Sequence, residues 1–492
     1  MKEAVFLQEV KEIQLLKNAL TLLDWDSSTG MPEKSSPFRG EVEGYLTGLY
    51  FERSIGPVIQ EALAYFETRP EELSELGKLV FEKVKEEYAL NKNVPAERMQ
   101  EYVKVLNQAH TDWLKARAAQ DFGLLEETLT KVVAFQKEFI PYWQKEEKTP
   151  YDVLLNQFEP GMTVEKLDQV FDQVKQGIQE IRTVLAEKGT PPRTDFLSRK
   201  MTKEQQRRFV IGVVEQLGYD FSKGRLDDTV HPFMTALNRN DARITTRWEE
   251  NNFSMATFGV IHEAGHGMYE QNFDPKFDFT PLSEGASMGI HESQSLFNEI
   301  IIGSNRAFWQ KQYPFFQECA EGTFDDIAFE DFYASLKETK ASLIRIDSDS
   351  LTYPLHIIIR YEIEKMLFNG SLEVADLPKV WNEKYQEYLG VSPENDLEGV
   401  LQDVHWSGGS FGYFPSYALG YMYAAQLFHA MKQELSVDEI LASEDYSDIR
   451  KWLTQHIHQY GASRKPNQLI YDATGEELNP SYLIDYMLSL IH

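Results

Sequence analysis

The sequence predicts an all-α fold with one very small β element, and two observations carry that reading. Apolar residues recur every three to five positions through most of the 492-residue chain, the period of helices that bury one face. The clear strand pattern is confined to Ala242-Arg243-Ile244-Thr245-Thr246-Arg247, which is short, β-branched and alternating, and follows the turn-prone Asn238-Arg239-Asn240-Asp241. The expected architecture is a single mostly helical domain over residues 1–492. Two helical lobes flank one cleft, with a tiny hairpin or sheet near 240–250.

In chain order, Val5, Val10, Ile13, Leu16, Ala19 and Leu22 predict a long helix over residues 2–23. Gly30, Pro32 and Pro37 predict a loop over 28–37. Helical runs fill 71–146 and break near Asn93-Val94-Pro95. Pro160-Gly161 precedes Thr163, a side chain suited to cap a helix over 163–188. Gly189-Thr190-Pro191-Pro192 separates that helix from the next, over 202–217. Residues 219–235, with Gly224, Asp227, Asp228 and Pro232, read as an irregular loop. Further helical runs cover 290–319, 327–345, 351–368, 375–389, 415–434 and 480–491, and Gly408-Gly409-Ser410-Phe411-Gly412 is a second break.

Composition narrows the function. Hydrophobic residues make up 42% and charged residues 26%, ordinary globular usage. The net charge of −29 repels phosphates, so nucleic acid and anionic membranes are disfavoured as partners. No apolar run approaches the length of a bilayer span. Cys319 is the one cysteine, which excludes an intramolecular disulfide and a thiolate metal cage. A reducing compartment suits it. The start of the chain shows no signal-peptide pattern, so the expected location is the cytoplasm.

His262-Glu263-Ala264-Gly265-His266 has the form H-E-x-x-H. On a helix, positions i and i+4 share a face, so both imidazoles can reach one tetrahedral ion. Glu263 lies about 100° around the helix from His262, placed to act on a water without ligating the ion. The run from Phe253 to Ile261 can supply the buried helix that fixes these residues. A catalytic zinc needs a third protein ligand. Glu292, in His291-Glu292-Ser293-Gln294-Ser295, follows 26 residues after His266. His291 competes for that role. Adjacent helical residues diverge by about 100°, so both cannot easily bind one ion.

These segments resemble the carboxypeptidase Taq family of metallocarboxypeptidases. His231-Pro232-Phe233 is similar to its H-P-F element, and Asp241-Ala242-Arg243-Ile244-Thr245 to D-x-R-x-T. Gly399-Val400-Leu401-Gln402-Asp403-Val404-His405-Trp406 is similar to G-x-x-Q-D-x-H-W. Ile344-Arg345-Ile346-Asp347-Ser348-Asp349 resembles I-R-x-x-A-D, with Ser348 in place of alanine. Trp25-Asp26 with Thr29 and Met31-Pro32, and the stretch from Tyr151-Asp152 to Thr163, also resemble family segments. The resemblance spans about residues 15–490. It implies a homodimeric, saddle-shaped helical protein with a deep groove, similar to neurolysin-like and angiotensin-converting-enzyme-like zinc peptidases. It also implies removal of single residues from peptide C-termini, broadly but poorly at proline.

An exopeptidase must recognise a terminal carboxylate, and an arginine fork matches that group. Arg345 is the first candidate, read as part of a helix wall from its apolar flank, with Asp347 or Asp349 as rival structural partners. Arg243 is the alternative, either closing the groove end or pairing with Asp241. His405, Tyr413 and Tyr417 are candidates to stabilise a developing oxyanion, with packing as the rival reading. The expected cofactor is one Zn²⁺ per subunit, with Co²⁺ able to replace it. Two other functions fit the same motifs: an oligopeptidase or dipeptidyl carboxypeptidase, and a silent peptide-binding scaffold. Retention of both histidines and the glutamate argues against the scaffold.

Overall fold

Twenty α-helices and three short strands make up the computed structural model, which describes residues 1–490. The N-terminal half holds α1 (Glu3–Thr29), α2 (Ser36–Ser54), α3 (Pro57–Phe66), α4 (Glu75–Lys92), α5 (Ala96–Ala119), α6 (Gly123–Trp143), α7 (Pro150–Phe158), α8 (Val164–Lys188) and α9 (Lys203–Leu217). The strands β1 (Leu226–Asp228), β2 (Met234–Asn238) and β3 (Asp241–Thr246) follow. Then come α10 (Phe253–Gln271), α11 (Met288–Leu296), α12 (Arg306–Cys319), α13 (Phe329–Ser335), α14 (Tyr353–Asn369) and α15 (Leu377–Tyr388). The chain closes with α16 (Pro415–Glu434), α17 (Val437–Leu441), α18 (Ser447–His456), α19 (Pro466–Thr474) and α20 (Ser481–Ser489). The all-α expectation holds.

Local chemistry sets several boundaries. The Thr163 hydroxyl accepts from the Lys166 amide and starts α8, as the sequence predicts. Thr202 and Gln205 cap each other's backbone at the start of α9, and Gly218 ends it in the left-handed region at φ 113°. The Asn305 side chain accepts from the amides of Ala307 and Phe308. It thereby opens a new helix in the middle of the run expected over 290–319.

Other expectations are corrected. The loop expected from residue 28 is helical to Thr29, and α2, α3 and α7 were not foreseen. α2 has no buried residue among those described, although Phe38, Val42, Tyr45, Leu46 and Leu49 recur along it at helical spacing; Phe38, Val42 and Tyr45 are exposed. The stretch 219–235 contains β1 and the first residues of β2. In the sheet, β3 lies between β1 (parallel) and β2 (antiparallel), with Ile244 opposite Leu226 on one side and Met234 on the other. The helix expected over 327–345 stops at Ser335. Beyond it, the Asp349 carboxylate accepts from the amides of Lys340, Leu351 and Thr352, and these bonds hold a loop in place of a helix. Arg345 therefore sits on a single 3₁₀ turn, Arg345–Asp347, and not on a helix wall.

The apolar core is divided. The larger cluster runs through α5–α16 and the C-terminal helices. A smaller one gathers Phe6, Val10 and Ile13 of α1, Ile59 and Phe66 of α3 and Phe81 of α4. Phe277 and Leu282, from the segment joining α10 to α11, are buried in that smaller core.

Candidate metal centre and substrate groove

α10 and α11 carry the two halves of the H-E-x-x-H and H-E-S motifs, and glycine decides how closely they meet. A Cβ on Gly265 would lie 2.5 Å from the Gln294 carbonyl and 2.7 Å from the Ser295 Cα. Only a residue without a side chain lets α10 press on the α11 backbone there. On the far side of α11, a Cβ on Gly420 of α16 would lie 2.6 Å from the Glu292 Cβ. Glu292 is thus pressed toward α10 by a helix with nothing in the way.

Among the described residues, His262, His266 and Glu292 form the one group of three His, Cys, Asp or Glu side chains whose donor atoms converge, all within 4.8 Å of one another. The Nε2 atoms of His262 and His266 lie 3.8 and 3.4 Å from the same Glu292 oxygen. Their Nδ1 atoms are committed elsewhere, His262 to Glu299 at 2.7 Å and His266 to the Nδ1 of His291 at 2.6 Å. The free nitrogens are therefore the ones that converge, and two imidazoles with a carboxylate suit a divalent ion with an open position. The carboxylates of Glu292, Glu299 and Glu263 make the surroundings of His262 favourable to a positive charge. Burial alone would lower His262, but the negative charge of Glu292, Glu299 and Glu263 draws it up to about 10. Burial and the neighbouring imidazoles push His266 down to about 4. This donor set fits a metal.

Glu263 is buried at 7% exposure and lines the same cavity, whose volume is about 820 Å³. Burial, reinforced by Glu292 and Glu299, raises its carboxyl to about 7, against the opposing pull of His262 and His291. His291 also lines the cavity but stands outside the convergent trio; its Nε2 meets Glu270 at 3.0 Å.

Arg345, Tyr413 and Tyr417 line this cavity with Tyr353. The Arg345 guanidinium is paired with Asp403, not with Asp347 or Asp349. Its Nε and Nη2 donate to Asp403 Oδ1 at 3.0 and 2.8 Å, and its carbon lies 4.8 Å from the Tyr417 ring centre. Burial opposes its charge, but Asp403 holds it firmly protonated. His405 lies behind the tyrosines, with Nε2 at 3.1 Å from the Tyr417 hydroxyl. Burial, with the nearby Arg345 and Arg360, lowers it to about 4 against the pull of Asp403, so it is neutral. Tyr413 is pushed up to about 12 by burial and by Glu292, and remains a proton donor.

Arg243 behaves differently. It makes two 2.8 Å bonds to Asp241, and its guanidinium carbon lies 4.4 Å from the Trp25 ring centre. It is not among the residues lining the cavity, among those described. Of its two sequence readings, the Asp241 pair is the one seen.

Sequence reasoning missed Glu299, Glu270, Asp403 and Tyr353. Glu299 was readable in part. It lies seven residues after Glu292, two turns along the same face, although the turn Phe297–Ile302 that carries it is a π-helix, a form common at functional sites. Asp403 stood inside the Gln402-Asp403-Val404-His405 motif without a stated role.

Comparisons with known proteins give the family. Residues 5–490 match the model of the carboxypeptidase Taq (M32) metallopeptidase family. The chain is 47% identical over 486 residues to carboxypeptidase 1 of Bacillus subtilis (strain 168), covering 99% of this chain and 97% of that protein. It superposes on the crystal structure of an M32 carboxypeptidase from Deinococcus radiodurans R1 with TM-score 0.95 at 33% identity, covering 98% and 97%. It matches metallocarboxypeptidase 1 of Trypanosoma cruzi with TM-score 0.93 at 34% identity, covering 100% and 99%. With a family match over nearly its whole length and whole-chain relatives above 30% identity, this chain belongs to the carboxypeptidase Taq (M32) family of metallocarboxypeptidases.

Proposed function

We propose that the protein removes single amino acids from the free C-termini of peptides, using one Zn²⁺ per subunit held by His262, His266 and Glu292. Co²⁺ can replace zinc on ligand chemistry. The observation that carries this reading is one cavity lined by the donor trio, by Glu263 and by Arg345. A metal bound there supplies Lewis acidity for the scissile carbonyl and for water.

The chain's own residues do the rest. Arg345 receives the terminal carboxylate through the guanidinium edge that Asp403 leaves free. This sets the last peptide bond beside Glu263. Glu263 takes a proton from the attacking water and returns it to the leaving amine. Burial raises this carboxyl above its ordinary range, which favours a group that accepts and returns a proton. Tyr413 and Tyr417 donate to the developing oxyanion, with His405 orienting Tyr417. A terminal proline presents a bond without an N–H and with φ fixed, which supports poor cleavage there and broad use of other residues.

The family resemblance supports a homodimer, a single domain of two helical lobes and a cytoplasmic location. Among the described residues no helix is long and apolar enough to cross a membrane. Sedimentation of the purified protein tests the dimer. Mass spectrometry of digests of free and C-terminally amidated peptides tests the activity. Stepwise loss of single residues from free acids is the expected result. Dipeptides or internal fragments would establish the oligopeptidase reading in its place.

A further inference from the structure

The two histidines of the donor trio are held in different ways. His262 Nδ1 meets the carboxylate of Glu299 directly at 2.7 Å. His266 Nδ1 meets a second imidazole, His291, at 2.6 Å, and a carboxylate comes only one step later, where His291 Nε2 meets Glu270 at 3.0 Å. The His266 and His291 ring centres are 4.7 Å apart. Both side chains of the outer pair are largely buried, at 15% for His291 and 14% for Glu270.

We propose that His291 and Glu270 are positioning residues that fix the tautomer and ring orientation of His266 for metal binding. The inference rests on the ligand assignment of the preceding section. The protons follow from the contacts. Glu270 offers only carboxylate oxygens to the 3.0 Å contact, so the tautomer that fits it has the His291 Nε2–H donating to Glu270. His291 Nδ1 then keeps its lone pair and accepts the Nδ1 proton of His266. That leaves His266 Nε2 as the bare nitrogen, the one that faces Glu292. Without Glu270, His291 is free to adopt the other tautomer, which would set N–H against N–H at 2.6 Å. Partners of this kind orient a ligand and raise its basicity.

The ring of His291 is also held on its face. A Cβ on Gly285 would lie 2.8 Å from His291 Cδ2 and 3.2 Å from Tyr269 Cε1. The Gly285 backbone therefore lies close against the imidazole, and Tyr269 packs against it with ring centres 5.1 Å apart. This pocket explains why His291 is built as an orienting group and does not join the trio as a ligand. Both its nitrogens are spoken for.

The test measures the metal and not turnover. Zn²⁺ affinity is determined by chelator competition for the wild type and for His291→Ala, His291→Asn, Glu270→Ala and His266→Ala. Each protein is also loaded with Co²⁺, and the exchangeable ring N–H protons of the cobalt-bound histidines are recorded by proton NMR. His291→Ala is expected to weaken Zn²⁺ binding roughly 10–100-fold and to lose one of two slowly exchanging N–H signals, that of His266. His291→Asn places an amide oxygen where Nδ1 stood and should recover most of the affinity and the signal. Glu270→Ala should weaken binding in the same direction. Wild-type affinity with both signals in His291→Ala or in Glu270→Ala would overturn the proposal. Equal weakness in His291→Ala and His291→Asn would also overturn it, because packing alone would then account for the loss. His266→Ala separates this proposal from the ligand assignment. If His266→Ala keeps its zinc, the assignment itself is wrong. If it loses zinc while His291→Ala does not, only the relay fails.

Discussion

Asp403 grips Arg345 from the side, with one carboxylate oxygen accepting from both Nε at 3.0 Å and Nη2 at 2.8 Å. Its other oxygen is taken by Arg360, whose Nε lies 2.7 Å away. One buried carboxylate therefore serves two buried guanidiniums, and together they hold it well below the usual carboxylate range although burial opposes this. The Arg345 side chain is fixed before any peptide arrives. Arg345 also lines the cavity that holds the donor trio, and a side chain held in place in this way suits the carboxylate-binding role proposed for it.

Arg345→Ala should lower kcat/KM for free-acid peptides by at least about tenfold, since a charge-assisted bond is worth roughly 1.5–3 kcal/mol. It should also shrink the preference for acids over C-terminal amides. Arg345→Lys should recover part of this, because a point charge lacks the fork. Arg243→Ala should leave the acid-to-amide ratio unchanged. A collapse of that ratio in Arg243→Ala, and not in Arg345→Ala, would reverse the assignment.

Glu263→Gln removes a proton acceptor and no metal donor. Zinc content should stay near one per subunit, while turnover falls by at least about 10²-fold, the usual scale of a general base. Metal analysis beside steady-state kinetics checks both halves. Near-normal turnover in the loaded variant would end the role given to Glu263.

Gly420→Ala adds a methyl group 2.6 Å from the Glu292 Cβ. It should weaken zinc binding without touching any donor atom, because Glu292 must shift to make room. Chelator competition reads the effect, and a larger Gly420→Val step should weaken binding further. Unchanged affinity in both would mean that α16 yields and does not set the position of Glu292.

Stability should fall on acidification in part through His458. Its ring is buried, donates from Nε2 to Gln294 at 2.9 Å, and is pushed by burial down to about 3. The unfolded group titrates near 6.5. Because the folded value is the lower one, this stabilisation is complete above pH 6.5 and is lost as pH falls toward 3, at about 1.4 kcal/mol per unit. His458→Gln keeps the bond to Gln294 without the titration. Urea unfolding at pH 7, 6, 5 and 4 should therefore show the wild-type advantage over this variant narrowing at each step. Parallel curves would exclude His458 as a source of acid sensitivity.

Helix content and the donor trio were legible in the sequence for physical reasons. A 3.6-residue period and an i, i+4 pair are local facts, and α10 realises both in one element. Glu292 was legible because H-E-x-x-H demands a third donor and the next helix offers one. Arg345 shows where this reasoning stops. Its apolar neighbours suggested a helix, yet the loop that carries it is held by Asp349, and its partner Asp403 lies 58 residues away. Neither fact has a local signature. The same holds for Gly265 and Gly420, whose value lies in what they let approach. α2 did carry a local signal, Phe38, Val42, Tyr45, Leu46 and Leu49 at helical spacing, which went unread between Pro37 and Gly56.

The small N-terminal core has a consequence for how the metal is retained. Phe277 and Leu282 are embedded among α1, α3 and α4, and both belong to the segment that carries the chain from His266 to Glu292. The Leu282 carbonyl is tied in addition to the Ala462 amide at 3.0 Å. The third donor is therefore delivered by a strap whose anchor lies in a body of helices that contributes no donor. The packing of that body and the placement of Glu292 are thus structurally connected through one segment. If the trio binds a metal as proposed, an ion bound to the folded chain alone would raise the cost of peeling those helices away.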